Sequence, residues 1–410
     1  MERFCAELHT FKSEIEERVA DYFDFQALRC LSQFSSDEFR ESIGEIFDVS
    51  LLTKNAPDLL NSVDRVFQER IAEIRIDSVS PDISSENERD VVMERFADMR
   101  KNLDLLNDTR NRRCQSLFST LEPQRIEECS GLTYYRAGEG GIPIILINAL
   151  GQGLIFWTRL IDALSQNRRV LIWEPRGVPD PANFTMDNQV EDLQKILQRE
   201  SITACHLVGW CTGPKVMLMY YRQRPDMVKS MVFLNPSLKG PDISADLDTE
   251  YERNLQPLCE LLNRRPEMAA FVMKALRDNM GKKAAITDEP DAVNVLAAMN
   301  IDLIEPVLQP FRSESATLAY CQQLLNFWSH HSAALAQNTK VPVFLLAAEF
   351  DKIASPAMVQ AVRDLLPDAE YMEVRGATHY CLYDRPEFVS QRIETFFRRV
   401  EGGAAAGAFA

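Results

Sequence analysis

Three residues in the second half of this 410-residue chain have the types and order that covalent acyl chemistry requires: a cysteine, then an aspartate, then a histidine. Cys211 stands in Gly209-Trp210-Cys211-Thr212-Gly213, the pattern Gly-x-nucleophile-x-Gly with cysteine where serine is commoner. In such an elbow the chain turns from strand to helix so sharply that the reactive residue takes a strained backbone, and the flanking positions must be small. Pro214 suits the first helical turn, where its missing N–H costs nothing, and the helix N-terminus beneath the sulfur favours negative charge there. A thiol nucleophile needs a base, and the base needs a carboxylate to hold it. Asp351 follows the apolar run Val341 to Ala348, and His379 follows Tyr371 to Val374, so each sits just past a strand. Each also has a plain packing alternative: a buried cysteine between turn glycines, a helix-capping aspartate, a core histidine. All three at matched strand ends favour catalysis.

The oxyanion of an acyl-transfer transition state needs preorganised donors. The backbone N–H groups of Thr212 and of Leu150, in the loop Asn148 to Gly153, are the candidates. Trp210, beside the nucleophile, and Glu174, at a strand end, are candidates for substrate contact. Gly151-x-Gly153 with Glu174 also matches part of a dinucleotide fingerprint, but Phe156 stands where a third small residue should allow close helix packing. No histidine and cysteine spacing points to a metal, since His330 and His331 are adjacent and would diverge on a helix.

The elements that must position these residues alternate between short apolar runs and helical patterns from about Leu132 onward, the signature of a mostly parallel sheet with crossover helices. Strands are expected at Leu132 to Tyr135, Ile142 to Ile147, Val170 to Trp173, just before Cys211, Val228 to Leu234, Val341 to Ala348 and Tyr371 to Val374. Between residues 240 and 338 only helical spacing appears, as in Leu255, Leu258, Leu261, Leu262 and in Met268, Phe271, Val272, Leu276; this predicts a helical lid inserted in the sheet. Residues 1–125 read as an acidic helical accessory domain, with a capping box at Ser35 to Glu38 and Leu59 to Ile74 on one helix face. The expected organisation is therefore 1–125 accessory domain, 126–239 and 339–400 the two parts of the sheet core, 240–338 lid, and 401–410 a disordered tail.

Composition is that of an ordinary soluble protein, 46% hydrophobic and 26% charged. A net charge of −16 argues against broad attraction to nucleic acid or anionic membrane. The longest apolar runs are too short to span a bilayer. Nine unpatterned cysteines without an export signal read as reduced thiols in a cytoplasm.

The elbow around Cys211, with Asp351 and His379 following in that order, resembles the α/β-hydrolase superfamily from about Leu132 to Val400. Within it the chain is most similar to the cysteine-dependent aminoacyltransferases of nonribosomal peptide pathways, of the syringomycin and coronamic acid type, in length, N-terminal extension and cysteine elbow. That resemblance implies no bound cofactor. It implies an enzyme that takes an aminoacyl group from the phosphopantetheine thiol of one acyl or peptidyl carrier protein and hands it to another. The superfamily also holds cysteine enzymes that hydrolyse esters, and polyester synthases that commonly have glycine where Pro214 stands.

Overall fold

The computed structural model describes residues 123–126, 132–173, 185–280, 303–349, 351–374 and 377–402, with a few isolated positions between 112 and 121. The expected N-terminal helices and the tail beyond residue 402 lie outside the described residues. The elements below belong to one compact unit, Ser116–Gly281 with Asp302–Ala410.

Apolar runs rich in Val, Ile and Leu become strands covered on both faces, as crossover connections demand of a parallel sheet. The strands are β1 (Gln124–Ile126), β2 (Leu132–Ala137), β3 (Ile144–Ile147), β4 (Val170–Trp173), β5 (Cys205–Trp210), β6 (Val228–Leu234), β7 (Val343–Ala348) and β8 (Ala369–Val374). They form one sheet in the order β1-β2-β4-β3-β5-β6-β7-β8. The pairs β1/β2 and β2/β4 are antiparallel, and all the others are parallel. Every residue of β3, β4, β5 and β7 is buried, whereas β8, at the edge, is largely half-exposed.

The helices longer than four residues are α1 (Thr158–Leu164), α2 (Met186–Arg199), α3 (Gly213–Gln223), α4 (Glu250–Arg264), α5 (Ala269–Met280), α6 (Glu314–Trp328), α7 (Ser332–Gln337), α8 (Pro356–Arg363) and α9 (Pro386–Gly402). Side chains supply the N-terminal caps that free N–H groups require. Thr185, Thr249, Ser313 and Ser355 accept from Asn188, Glu252, Ala316 and Met358, and Thr249 with Glu252 completes a capping box. Between β6 and β7 the described residues carry helices and no strand, as the spacing predicted. One detail differs: in α5 the buried stripe steps through Ala269, Val272 and Leu276, so Phe271 falls off that face and is 65% exposed.

The helix that begins at the elbow is fixed at two points. A side chain at Gly213 would be driven into the Ile147 carbonyl oxygen at the end of β3, and one at Gly209 into the Met217 sulfur. Further along α3, the fully buried Lys215 donates from Nζ to the carbonyls of Lys239 (2.5 Å), Phe327 (2.9 Å) and His330 (3.4 Å), tying α3 to the helical insertion. Burial lowers the Lys215 ammonium to about 7, against the pull of Asp242 and Glu252.

Replacing Gly213 by Ala should cost about 1–3 kcal/mol, the usual penalty of overpacking a close contact. Urea unfolding midpoints of the variant and the parent protein would measure it, and an unchanged midpoint would contradict the close approach of α3 to β3.

Candidate active site

Cys211 lies one residue beyond β5, where the chain reverses into α3. Its φ is +55°, a left-handed value that costs a residue with a side chain about 1–3 kcal/mol. Hydrogen bonds on both sides hold that conformation: Cys211 N–H donates to the Leu234 carbonyl (3.0 Å), and Ser237 N–H donates to the Cys211 carbonyl (2.8 Å). Of the described cysteines, Cys205, Cys259, Cys321 and Cys381 are buried and Cys211 is partly exposed. Its sulfur therefore reaches a cavity.

Asp351 and His379 come from beyond β7 and β8, on the same edge of the sheet. His379 Nδ1 and Asp351 Oδ2 lie 2.7 Å apart, both side chains buried. The other carboxylate oxygen, Oδ1, accepts from the Ile353 and Ala354 N–H groups, each at 2.8 Å, so Asp351 serves as a turn cap as well. With Nδ1 engaged, Nε2 is the ring nitrogen left for the Cys211 sulfur, which lines the same cavity. Burial works against a charged ring here, but the Asp351 carboxylate and the Cys211 sulfur outweigh it and raise His379 to about 10. The structure thus places the cysteine and the histidine on one cavity, with the aspartate hydrogen-bonded to the far side of the ring.

Two residues hold the histidine loop over the elbow. Asn235, just past β6, has a φ of +43°, a region asparagine tolerates better than most residues. Its Nδ2 donates to the carbonyls of His379 (2.8 Å) and Thr378 (3.2 Å). Trp210 donates from its indole N–H to the same His379 carbonyl (3.0 Å) and packs against Phe156, His379 and Tyr380. Trp210, expected among the substrate contacts, borders the cavity but is 1% exposed, because its ring and its N–H are spent on the histidine loop. Glu174 lies outside the described residues.

The loop after β3 is built by Asn148, whose Oδ1 accepts from the Ala149 N–H (2.9 Å) and the Trp157 indole (2.8 Å) while Nδ2 donates to the Gln152 carbonyl (2.6 Å). The Leu150 N–H, expected to face an oxyanion, donates to Thr212 Oγ1 at 2.8 Å. Thr212 N–H, at the helix N-terminus, has no hydrogen-bond partner among the described residues. The loop glycines have steric reasons unrelated to a phosphate cradle: a side chain at Gly151 would lie 2.7 Å from Tyr320 and 2.9 Å from Pro310, and one at Gly153 would lie 2.9 Å from Gln309. That close packing against the helical insertion removes the ground for the dinucleotide alternative. Among the described residues no group of three or more His, Cys, Asp or Glu side chains is arranged to hold a metal ion, and no helix is long and apolar enough to cross a membrane.

The helical insertion completes the cavity over Cys211 with Tyr251, Glu252 and Tyr320, joined by Ser237 from the core. Burial raises both phenols above their ordinary range. The Glu252 carboxylate accepts from Ser237 Oγ (2.9 Å) and from the Thr249 N–H (3.1 Å). Sequence reading missed these residues. The only signal was the Thr249-x-x-Glu252 capping pattern, which announces a helix start and nothing about a cavity.

Sheet order, elbow and insertion together define an α/β-hydrolase architecture. A profile of the alpha/beta hydrolase fold matches residues 142–386, and the chain belongs to that family. Among curated proteins it is similar to epoxide hydrolase 3 of Xenopus tropicalis, 22% identical over 277 residues, 65% of this chain and 74% of that one. It is also similar to a protein named for carbamate hydrolysis, RutD of Stutzerimonas stutzeri, 29% identical over 97 residues, 22% of this chain. That match spans 37% of RutD's length. Among solved structures, a thermophilic esterase from Thermogutta terrifontis superposes with a TM-score of 0.52 at 18% identity, covering 68% of this chain and 99% of the esterase. A bromoperoxidase from Bacillus anthracis does so with a TM-score of 0.52 at 14% identity, over 68% of this chain and 100% of its own. At such identities the likeness is one of fold.

Because His379 is raised above its ordinary 6.5, its charge stabilises the fold fully below that pH, and the contribution fades as pH climbs toward 10. Denaturation across pH 6 to 10.5 should therefore show the margin of the parent protein over His379→Gln shrinking with rising pH; a constant margin would contradict the charged pairing.

Proposed function

We propose that this protein is an acyltransferase that holds its cargo as a thioester on Cys211, with His379 carrying the proton and Asp351 orienting and charging the ring. The observation behind this reading is a partly exposed sulfur at a strained turn, sharing a cavity with a buried imidazole that is paired with a buried carboxylate. The Cys211 thiolate attacks the carbonyl carbon of an incoming thioester; a C–S bond forms and the carbonyl π pair moves onto oxygen. Collapse of the tetrahedral intermediate breaks the bond to the departing sulfur, which takes the proton held by His379. An acceptor thiol then gives its proton to His379, attacks the acyl carbon and releases the Cys211 thiolate.

Sulfur at position 211 favours a thiol acceptor. Exchange of one thioester for another is nearly even in energy, whereas a serine would store the acyl group as a lower-energy oxyester and make its return uphill. The finer reading is transfer of an aminoacyl group between the phosphopantetheine arms of carrier proteins. It is supported by the resemblance to the nonribosomal aminoacyltransferases and by the buried Glu252 carboxylate on the cavity wall, a group suited to an ammonium. The helical insertion would act as a lid that keeps water from the acyl-enzyme.

Hydrolysis is the second reading, in which water replaces the acceptor thiol. The names of the curated relatives, an epoxide hydrolase and a protein named for carbamate hydrolysis, favour it.

Intact-mass analysis of the protein mixed with an aminoacyl-loaded carrier protein tests both. The expected result is an adduct on the parent protein, absent from Cys211→Ala, that moves to a second, unloaded carrier. Release of free amino acid, by a route that Cys211→Ala abolishes, would support the hydrolase. Neither adduct nor release with any loaded carrier would overturn the acyl-cysteine mechanism.

A further inference from the structure

The proposed chemistry puts negative charge on the substrate's carbonyl oxygen beside Cys211, and one of the two N–H groups expected to meet it, that of Leu150, is already engaged. In the loop after β3 the two nearest N–H groups are already committed: Ala149 to Asn148 Oδ1 (2.9 Å) and Leu150 to Thr212 Oγ1 (2.8 Å). The Thr212 oxygen therefore occupies the place against the Leu150 N–H that a substrate oxygen would need. The contact is buried, with Leu150 5% and Thr212 5% exposed, so water does not compete for it. The hydroxyl accepts this bond but, among the described residues, has no acceptor for its own proton. Thr212 also lines the cavity with Cys211, and its backbone N–H is likewise unspent.

From this geometry we propose that Thr212 is a further catalytic residue: its side-chain O–H and its backbone N–H together donate to the oxyanion, while the Leu150 N–H positions the hydroxyl from behind. The inference rests on the acyl-Cys211 reading above. An oxygen that already accepts one hydrogen bond is polarised into a better donor. With Leu150 engaging its lone pair, the proton is aimed away from the β3 loop. A donor fixed in advance is what electrostatic stabilisation of an oxyanion requires. The rival arrangement has the threonine rotate aside and expose the Leu150 N–H to substrate. The two make opposite predictions for the same substitution.

The test compares Thr212→Val, which keeps the shape and removes the hydroxyl, with Thr212→Ser, which keeps the hydroxyl. Two rates are measured on each protein. One is single-turnover acylation of Cys211 by an aminoacyl N-acetylcysteamine thioester, followed by intact mass. The other is alkylation of Cys211 by iodoacetamide, which needs the same sulfur and imidazole but forms no oxyanion. The expected result is a loss of about 100-fold in acylation for Thr212→Val, the usual effect of removing one oxyanion donor. Alkylation should stay unchanged, and Thr212→Ser should acylate close to the parent rate. Acylation by Thr212→Val at or above the parent rate would overturn the proposal in favour of the Leu150 N–H. Parallel loss of acylation and alkylation would assign the hydroxyl a structural role and overturn it as well. Parent protein that alkylates but never acylates would instead overturn the acyl-cysteine reading, and this inference with it.

Discussion

The whole site depends on one close approach. α3 begins so near the end of β3 that no side chain fits between Gly213 and the Ile147 carbonyl, and this wedging forces Cys211 into its left-handed turn. The strain is held from both sides by main-chain hydrogen bonds to β6 and the segment after it. The Cys211 sulfur is thereby lifted out of the sheet on rigid elements, where loops alone would leave it mobile. Everything else in the site is arranged around an atom whose position the sheet has already set.

The histidine shows how the remaining parts are registered to that atom. It belongs to the edge of the sheet, beyond β8, yet must lie over β5. Two neighbours span the gap by holding its carbonyl: the indole of Trp210, next to Cys211, and the amide of Asn235, just past β6. The ring itself then bonds Asp351 through Nδ1 and leaves its other nitrogen for the cavity. Main chain is held by uncharged groups and side chain by charged ones, so positioning and proton chemistry do not compete for the same atoms.

Local grammar made much of this legible. The Gly-x-Cys-x-Gly run, Pro214, and the acid and imidazole past their strands are short patterns whose meaning does not depend on distant contacts. They announced the sheet, the helical insertion between β6 and β7, and the three residues at its edge. What could not be read depends on which side chains tertiary packing brings together. Tyr251, Glu252 and Tyr320 reach the cavity from helices far along the chain. Whether the Leu150 N–H is open depends on a single rotamer of Thr212. Trp210 lies on the cavity wall beside Cys211, but the use of its indole N–H on the His379 carbonyl depends on a loop far along the chain. Phe271 matched a helical stripe within the tolerance of periodic spacing, yet the stripe that packs is offset by one position.

Lys215 gives the insertion a mechanical character. Its ammonium meets no carboxylate directly but grips three main-chain carbonyls, two of them at the C-terminal end of α6, where the helix dipole favours positive charge. Lifting the insertion off the core at that corner breaks two of the three bonds together, so a single side chain fastens the roof of the cavity to the helix that begins just past Cys211.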